Sequence, residues 1–147
     1  MQAATVDKVR DAMGSAGDGG GLPEPARVGQ EFQRAREQNP GIAMLLLSTS
    51  DGRAIAASSS VGVDPRRLAA MTNSLLTLGE TVARELGMSS ADHASIATPR
   101  GNMVLVRIQH DKPMTLAALG TLETNAALLL FSARDCASRI ASLSSAR

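Results

Sequence analysis

Asp64–Gly87 reads DPRRLAAMTNSLLTLGETVARELG and carries the signals of a long helix in the order a helix needs them. Asp64 suits the N-cap, where its side chain accepts the first free amide hydrogens, and Pro65 gives up a donor the first turn has no use for. Gly87 follows Leu86 and suits the left-handed residue that closes a helix. At about 100° per residue, Leu78, Met71, Val82, Leu75, Leu68, Leu86, Gly79, Thr72, Ala83, Leu76 and Ala69 share one half of the circumference. Glu80, Asn73, Arg66, Arg84, Thr77, Ala70, Thr81, Ser74, Arg67 and Glu85 occupy the other half. A helix lying on a single layer needs an apolar stripe only about 100° wide. The excess predicts a sheet against one flank and a further partner against the other. Gly79 sits in mid-helix on the apolar half, where glycine costs about 1 kcal/mol relative to alanine. A close approach by another backbone would offset that cost.

Outward from this helix, the preceding segment reads as a hairpin. Ile42–Thr49 (IAMLLLST) predicts a strand with Met44 and Leu46 on one face and Ala43, Leu45 and Leu47 on the other. Both faces are apolar, so the strand should be central and covered on both sides. Asp51-Gly52 signals a tight turn, and Arg53–Ser60 returns as a more polar strand. A thinner helix with Val28, Phe32 and Ala35 on its apolar stripe is predicted from near Pro23 to Gln38, ended by Asn39-Pro40. Beyond Gly87, strands are predicted over Ala91–Thr98, Met103–Gln109 and Met114–Leu119. Pro99–Asn102 turns between the first two, with Gly101 at its close. In Met103–Gln109, Val104, Val106 and Ile108 share one face, while Arg107 and Gln109 mark the other as partly wet. Ala126–Leu143 closes the chain as a helix with Leu129, Ala133, Cys136, Ile140 and Leu143 on one face. The order is helix, two strands, long helix, three strands, helix. Antiparallel units with helices to cover both faces make an α/β three-layer sandwich.

The first 22 residues differ in composition. Gly14, Gly17 and Gly19–Gly21 carry high backbone entropy and no side chains to bury, so residues 1–22 are expected to be a flexible tail and 23–147 the folded domain. Val6, Val9, Ala12 and Met13 have helical spacing, but solvated disorder is the simpler expectation.

Composition bounds the function. The 147 residues suffice for one domain, and they include no Trp or Tyr and only two Phe, Phe32 and Phe131. The core must therefore be aliphatic, and the stacking platforms of single-stranded nucleic-acid binders are missing. A net charge of +1 gives no strong pull toward nucleic acid or anionic membrane. The single cysteine, Cys136, excludes an internal disulfide framework and fits a reducing compartment. The N-terminal MQAATVDKVRDAM lacks the apolar core of a secretory signal, Gln2 excludes myristoylation, and the apolar run Ile42–Leu47 is far too short to span a bilayer. A cytoplasmic protein is expected.

Catalytic chemistry finds little support. The glycine run lacks the Lys-Ser/Thr ending of a phosphate loop and follows no strand. His93, His110, Asp92 and Asp111 are the only cluster near a metal-ligand set, and they lack ligand spacing. Ser58–Ser60 have no nucleophile elbow, and Cys136 lies on an apolar helix face where thiols are inert. No carboxylate pair sits in a setting that would split its pKa values. A non-enzymatic protein without cofactor or metal is expected. The polar half of the long helix is more informative. Around Ala70, Asn73, Ser74, Thr77 and Thr81 it is small and uncharged, with Arg67 and Arg84 at its margins. A merely solvated face would carry denser Glu/Lys pairs, whereas small residues flanked by arginines suit a protein-docking surface.

Three segments together, GIAMLLLSTSDGRAIAASS, DPRRLAAMTNSLLTLGETVARELG and ASIATPRGNMVLVRI, resemble the roadblock/dynein light chain family, in particular its bacterial MglB-like branch. The resemblance covers roughly Val28 to Leu143 and follows element order. It implies a five-stranded antiparallel sheet with the long helix on one face and the terminal helices on the other. It also implies a homodimer in which the long helices pair and the third strands meet edge to edge, with Leu68, Met71, Leu75, Leu78, Gly79, Val82 and Ile96 in the interface. A role beside Ras-like small GTPases, as scaffold or activating partner, is implied as well. The partner would be bound by Arg67, Ala70, Asn73, Ser74, Thr77, Thr81 and Arg84. The alternative is a profilin- or PAS-like sensor holding a small molecule between sheet and helix. Such a pocket needs convergent polar groups, and the inner faces expected here are mostly Leu, Met, Val and Ala.

Overall fold

A computed structural model of the chain describes residues 21–145, with side chains through Leu143. Most of the expected tail, residues 1–20, lies outside the described residues. The elements run α1 (Pro25–Gln38), β1 (Ile42–Thr49), β2 (Ala54–Ser59), α2 (Pro65–Glu85), β3 (His93–Thr98), β4 (Gly101–Ile108), β5 (Met114–Gly120) and α3 (Ala126–Ser145). The strands form one five-stranded sheet in the order β2-β1-β5-β4-β3, and every pairing is antiparallel. The expected α/β three-layer sandwich is the observed one.

Each face of the sheet has its own core. Val28 and Phe32 of α1 and Leu129, Ala133, Cys136 and Ile140 of α3 pack on Leu45, Leu47, Val104, Val106 and Leu116. On the opposite face, Ala69 and Leu76 of α2 meet Met44, Leu46, Leu105 and Ala117. All of β1 is buried, as its two apolar faces require. Fully burying a Leu- or Phe-sized side chain is worth roughly 1.5–3 kcal/mol. The dozen largest fully buried side chains, Phe32 and Leu45 among them, therefore carry most of the driving force. Leu22, at the end of the expected tail, packs half-buried against the α1–α3 core.

Local chemistry fixes the ends of α2 as its sequence requires. Asp64 accepts hydrogen bonds from the amides of Arg66 (3.2 Å) and Arg67 (3.4 Å). Gly87 takes φ +68°, and Met88 N–H closes onto Ala83 O at 2.9 Å. The β3–β4 connection is tighter than a general turn. Thr98 pairs with Gly101, so only Pro99 and Arg100 lie between the strands. Gly101 holds φ +148°, and a Cβ there would stand 2.1 Å from the Gly120 carbonyl oxygen on the neighbouring β5.

Candidate docking surface on the long helix

The underside of α2 is more polar than its sequence pattern suggests. Its buried residues are Ala69, Thr72, Asn73 and Leu76. Asn73 is only 4% exposed, which corrects its expected place on the partner-facing surface. Its amide nitrogen donates to Ser48 Oγ (2.8 Å) and the Ala69 carbonyl (2.9 Å). Its oxygen accepts from Thr115 Oγ1 (2.6 Å) and Arg107 Nη1 (3.3 Å). A buried amide is tolerated when its donors and acceptors are matched, as here. Arg107 of β4 lies beneath the helix rather than in water, its side chain 9% exposed. Its Nη2 and Nε donate to the Glu80 carboxylate at 2.9 and 3.2 Å, and Nη1 donates to Thr115 Oγ1 at 2.6 Å. This network ties α2 to β1, β4 and β5 beside the apolar contacts of Ala69 and Leu76.

The two flanks of the apolar half have different fates. Leu68, half-buried, packs with Ala69 and Leu76 against the sheet. Met71, Leu75, Leu78 and Val82 face outward, with Met71 56% and Leu78 61% exposed. Leu86 and Met88 extend this stripe, and Ile96 is exposed on β3, whose outer edge pairs with no strand among the described residues. A Cβ at Gly79 would meet no atom within 4 Å, so none of the described residues uses the access that glycine provides.

Beside the stripe lie Arg67, Ala70, Ser74, Thr77, Thr81 and Arg84, all exposed. Thr77 is tied inward, its Oγ1 accepting from Arg107 Nη2 at 3.4 Å. Thr81 Oγ1 donates to the Thr77 carbonyl (3.0 Å) and accepts from Arg84 Nη2 (3.5 Å). Ser74 stands outward at the middle of this surface.

The candidates for chemistry are placed elsewhere. Asp92 pairs with Arg134 and faces His93 Nδ1 at 3.4 Å, while His110 Nδ1 accepts from Lys112 N–H in the β4–β5 turn. Among the described residues, no three His, Cys, Asp or Glu side chains group as metal ligands. Ser58 and Ser59 are buried, and Ser58 Oγ accepts from Arg36 Nη1 at 3.1 Å. Cys136 is buried under α1, with Glu31 O 4.0 Å from its Sγ. Burial, reinforced by the Glu31 and Asp135 carboxylates, pushes its thiol up to about 12. A folded value raised above the unfolded one favours folding fully below the ordinary thiol range. That contribution is lost as pH rises toward 12. We expect iodoacetamide to leave the native thiol unmodified at pH 8 and to label it fully in denaturant, as read by mass spectrometry. Rapid native labelling would show that the α1–α3 layer opens.

Among the described residues, no helix is long and apolar enough to cross a membrane. No curated protein matches the chain in sequence. Solved structures do match in fold. An MglB with a tetrameric arrangement superposes with TM-score 0.73 at 13% identity, over 82% of this chain and 89% of that one. MglB of Myxococcus xanthus gives 0.71 at 11% identity, over 82% and 97%. A Roadblock/LC7 domain of Streptomyces avermitilis gives 0.63 at 18% identity, over 74% and 89%. The sequence profile of the Roadblock/LC7 domain matches residues 29–111, from α1 through the β4–β5 turn, and the chain belongs to that family.

Proposed function

We propose that the protein is a non-catalytic, homodimeric binding module of the cytoplasm that regulates or scaffolds a Ras-like small GTPase. The observation that carries this reading is the exposed apolar stripe Met71, Leu75, Leu78 and Val82, beside a β3 edge bearing Ile96. Scattered surface leucines need no explanation, but a continuous stripe beside the open edge of a strand suits an interaction surface. A second copy provides a self-complementary cover about a two-fold axis. Gly79 then lies where the paired helix comes near. Membership of the family supports the GTPase as partner, through the role that its MglB-like branch implies.

Dimerisation would set the outward polar surfaces side by side, and we assign GTPase contact to Arg67, Ala70, Ser74, Thr77, Thr81 and Arg84. Ser74→Glu is the test. Ser74 is exposed, and surface substitutions usually change folding by less than about 0.5 kcal/mol. In a desolvated interface the same charge would cost several kcal/mol. The variant should keep its melting temperature and its dimer in light scattering, and lose affinity for the GTPase by roughly a hundredfold. Affinities are to be measured for the host's Ras-like GTPases, GTP- and GDP-loaded. We expect a preference for one nucleotide state, because these switch loops order around the γ-phosphate. Equal affinity of variant and wild type would refute the surface assignment, and no binding by any of these GTPases would refute the partner.

A further inference from the structure

A groove of about 540 Å³ opens at the end of the sheet where β1 begins and β2 and β5 finish. Arg36 at the end of α1 and Arg100 in the β3–β4 turn line it, with Glu123 from the β5–α3 loop. Pro40, Ile42, Ala43 and Leu122 supply its apolar wall. The groove is shallow and open to solvent, so a ligand there would be held by the charged groups at its rim rather than by enclosure.

Among the described residues, no carboxylate neutralises the guanidinium groups of Arg36 and Arg100. Arg36 is half-buried, and the partner of its guanidinium is the neutral Ser58 Oγ. Burial lowers its pKa by desolvation, yet an arginine remains charged at neutral pH. The nearby hydroxyls already have acceptors. Ser60 Oγ donates to Ala43 O at 3.2 Å, and Thr121 Oγ1 donates to Gly41 O at 3.3 Å. The free polar capacity of the arginine side chains is thus donor capacity, in the planar fork that matches anionic oxygens.

We propose that this groove binds a phosphate group through Arg36 and Arg100. Its apolar wall suits the organic part of a phosphate monoester. Glu123, also in the lining, repels such an anion and sets the affinity in the opposite sense. The site shares no residue with α2, so its test is independent of the GTPase reading.

The experiment is an NMR titration of the full chain with inorganic phosphate and, separately, phenyl phosphate, with chloride at matched ionic strength as control. Both probes should shift the backbone amides of Ala43 and Leu122, and chloride should not. Tighter binding of phenyl phosphate identifies an organic monoester as the ligand class, and equal binding identifies free phosphate. Arg36→Gln and Arg100→Gln should each weaken binding by about tenfold, the loss of a charge-assisted hydrogen bond. Glu123→Gln should tighten it several-fold. Because Arg100 and Glu123 are exposed, their variants keep the test open if Arg36→Gln fails to fold. Shifts no larger than those with chloride would overturn the proposal. So would an affinity unchanged in Arg100→Gln, or weakened in Glu123→Gln.

Discussion

Leu78→Asp is expected to yield a folded monomer, and with it the loss of the GTPase contact proposed for the paired long helices. Leu78 is 61% exposed in the single chain, so the variant removes little internal packing. It lies one turn from Leu75 and Val82 on the outward stripe, and in a homodimer each copy would desolvate an unpaired carboxylate. Several kcal/mol lost on that account raises the dimer dissociation constant by at least about a hundredfold. Light scattering should report the monomer mass at concentrations where the wild type is expected to form the proposed dimer. The wild-type melting temperature should rise with protein concentration, and that of the variant should not. A dimer that survives Leu78→Asp would place the interface elsewhere.

Gly101→Ala is expected to cause a large loss of stability. The new Cβ would stand 2.1 Å from the Gly120 carbonyl oxygen, and φ is +148°, where side chains are strained. The obstructing atom is backbone in the adjacent strand, held by the Asn102–Gly120 pairing. Neither atom can yield without pulling β4 from β5. We expect a loss of about 3 kcal/mol or more, seen as a fall in melting temperature of roughly 10 °C. A change of less than about 1 kcal/mol would mean that the β3–β4 turn relaxes freely.

Much of this architecture was legible in the sequence because its elements announce themselves locally. The caps of α2, the alternation in β1 and the Asp51-Gly52 turn each need only neighbouring residues to be read. Asn73, Glu80 and Arg107 show where local reading ends. Sorting a helix by polarity places Asn73 and Glu80 outside, but burial depends on what lies beneath them. Asn73 finds partners in Ser48, 25 residues away, and Thr115, 42 residues away. Those matches exist only once β1 and β5 are side by side. The width of the apolar half did signal two environments, and Leu76 and Met71 show them, one under the helix and one outside it. The Arg36–Arg100 groove was invisible for the same reason as the network: its walls come from five separate segments of the chain.

Apolar contacts permit sliding, whereas hydrogen bonds to Asn73 and a two-point ion pair to Glu80 fix a position and an angle. The polar seat under α2 therefore separates the heritable fate of the helix's inner and outer sides. Ser74, Thr81 or Arg84 can be exchanged over generations while Asn73, Glu80 and Arg107 keep the helix axis in place. On the surface assignment proposed above, a lineage carrying this seat could change its partner by altering outward residues alone, without having to discover a new way to fold.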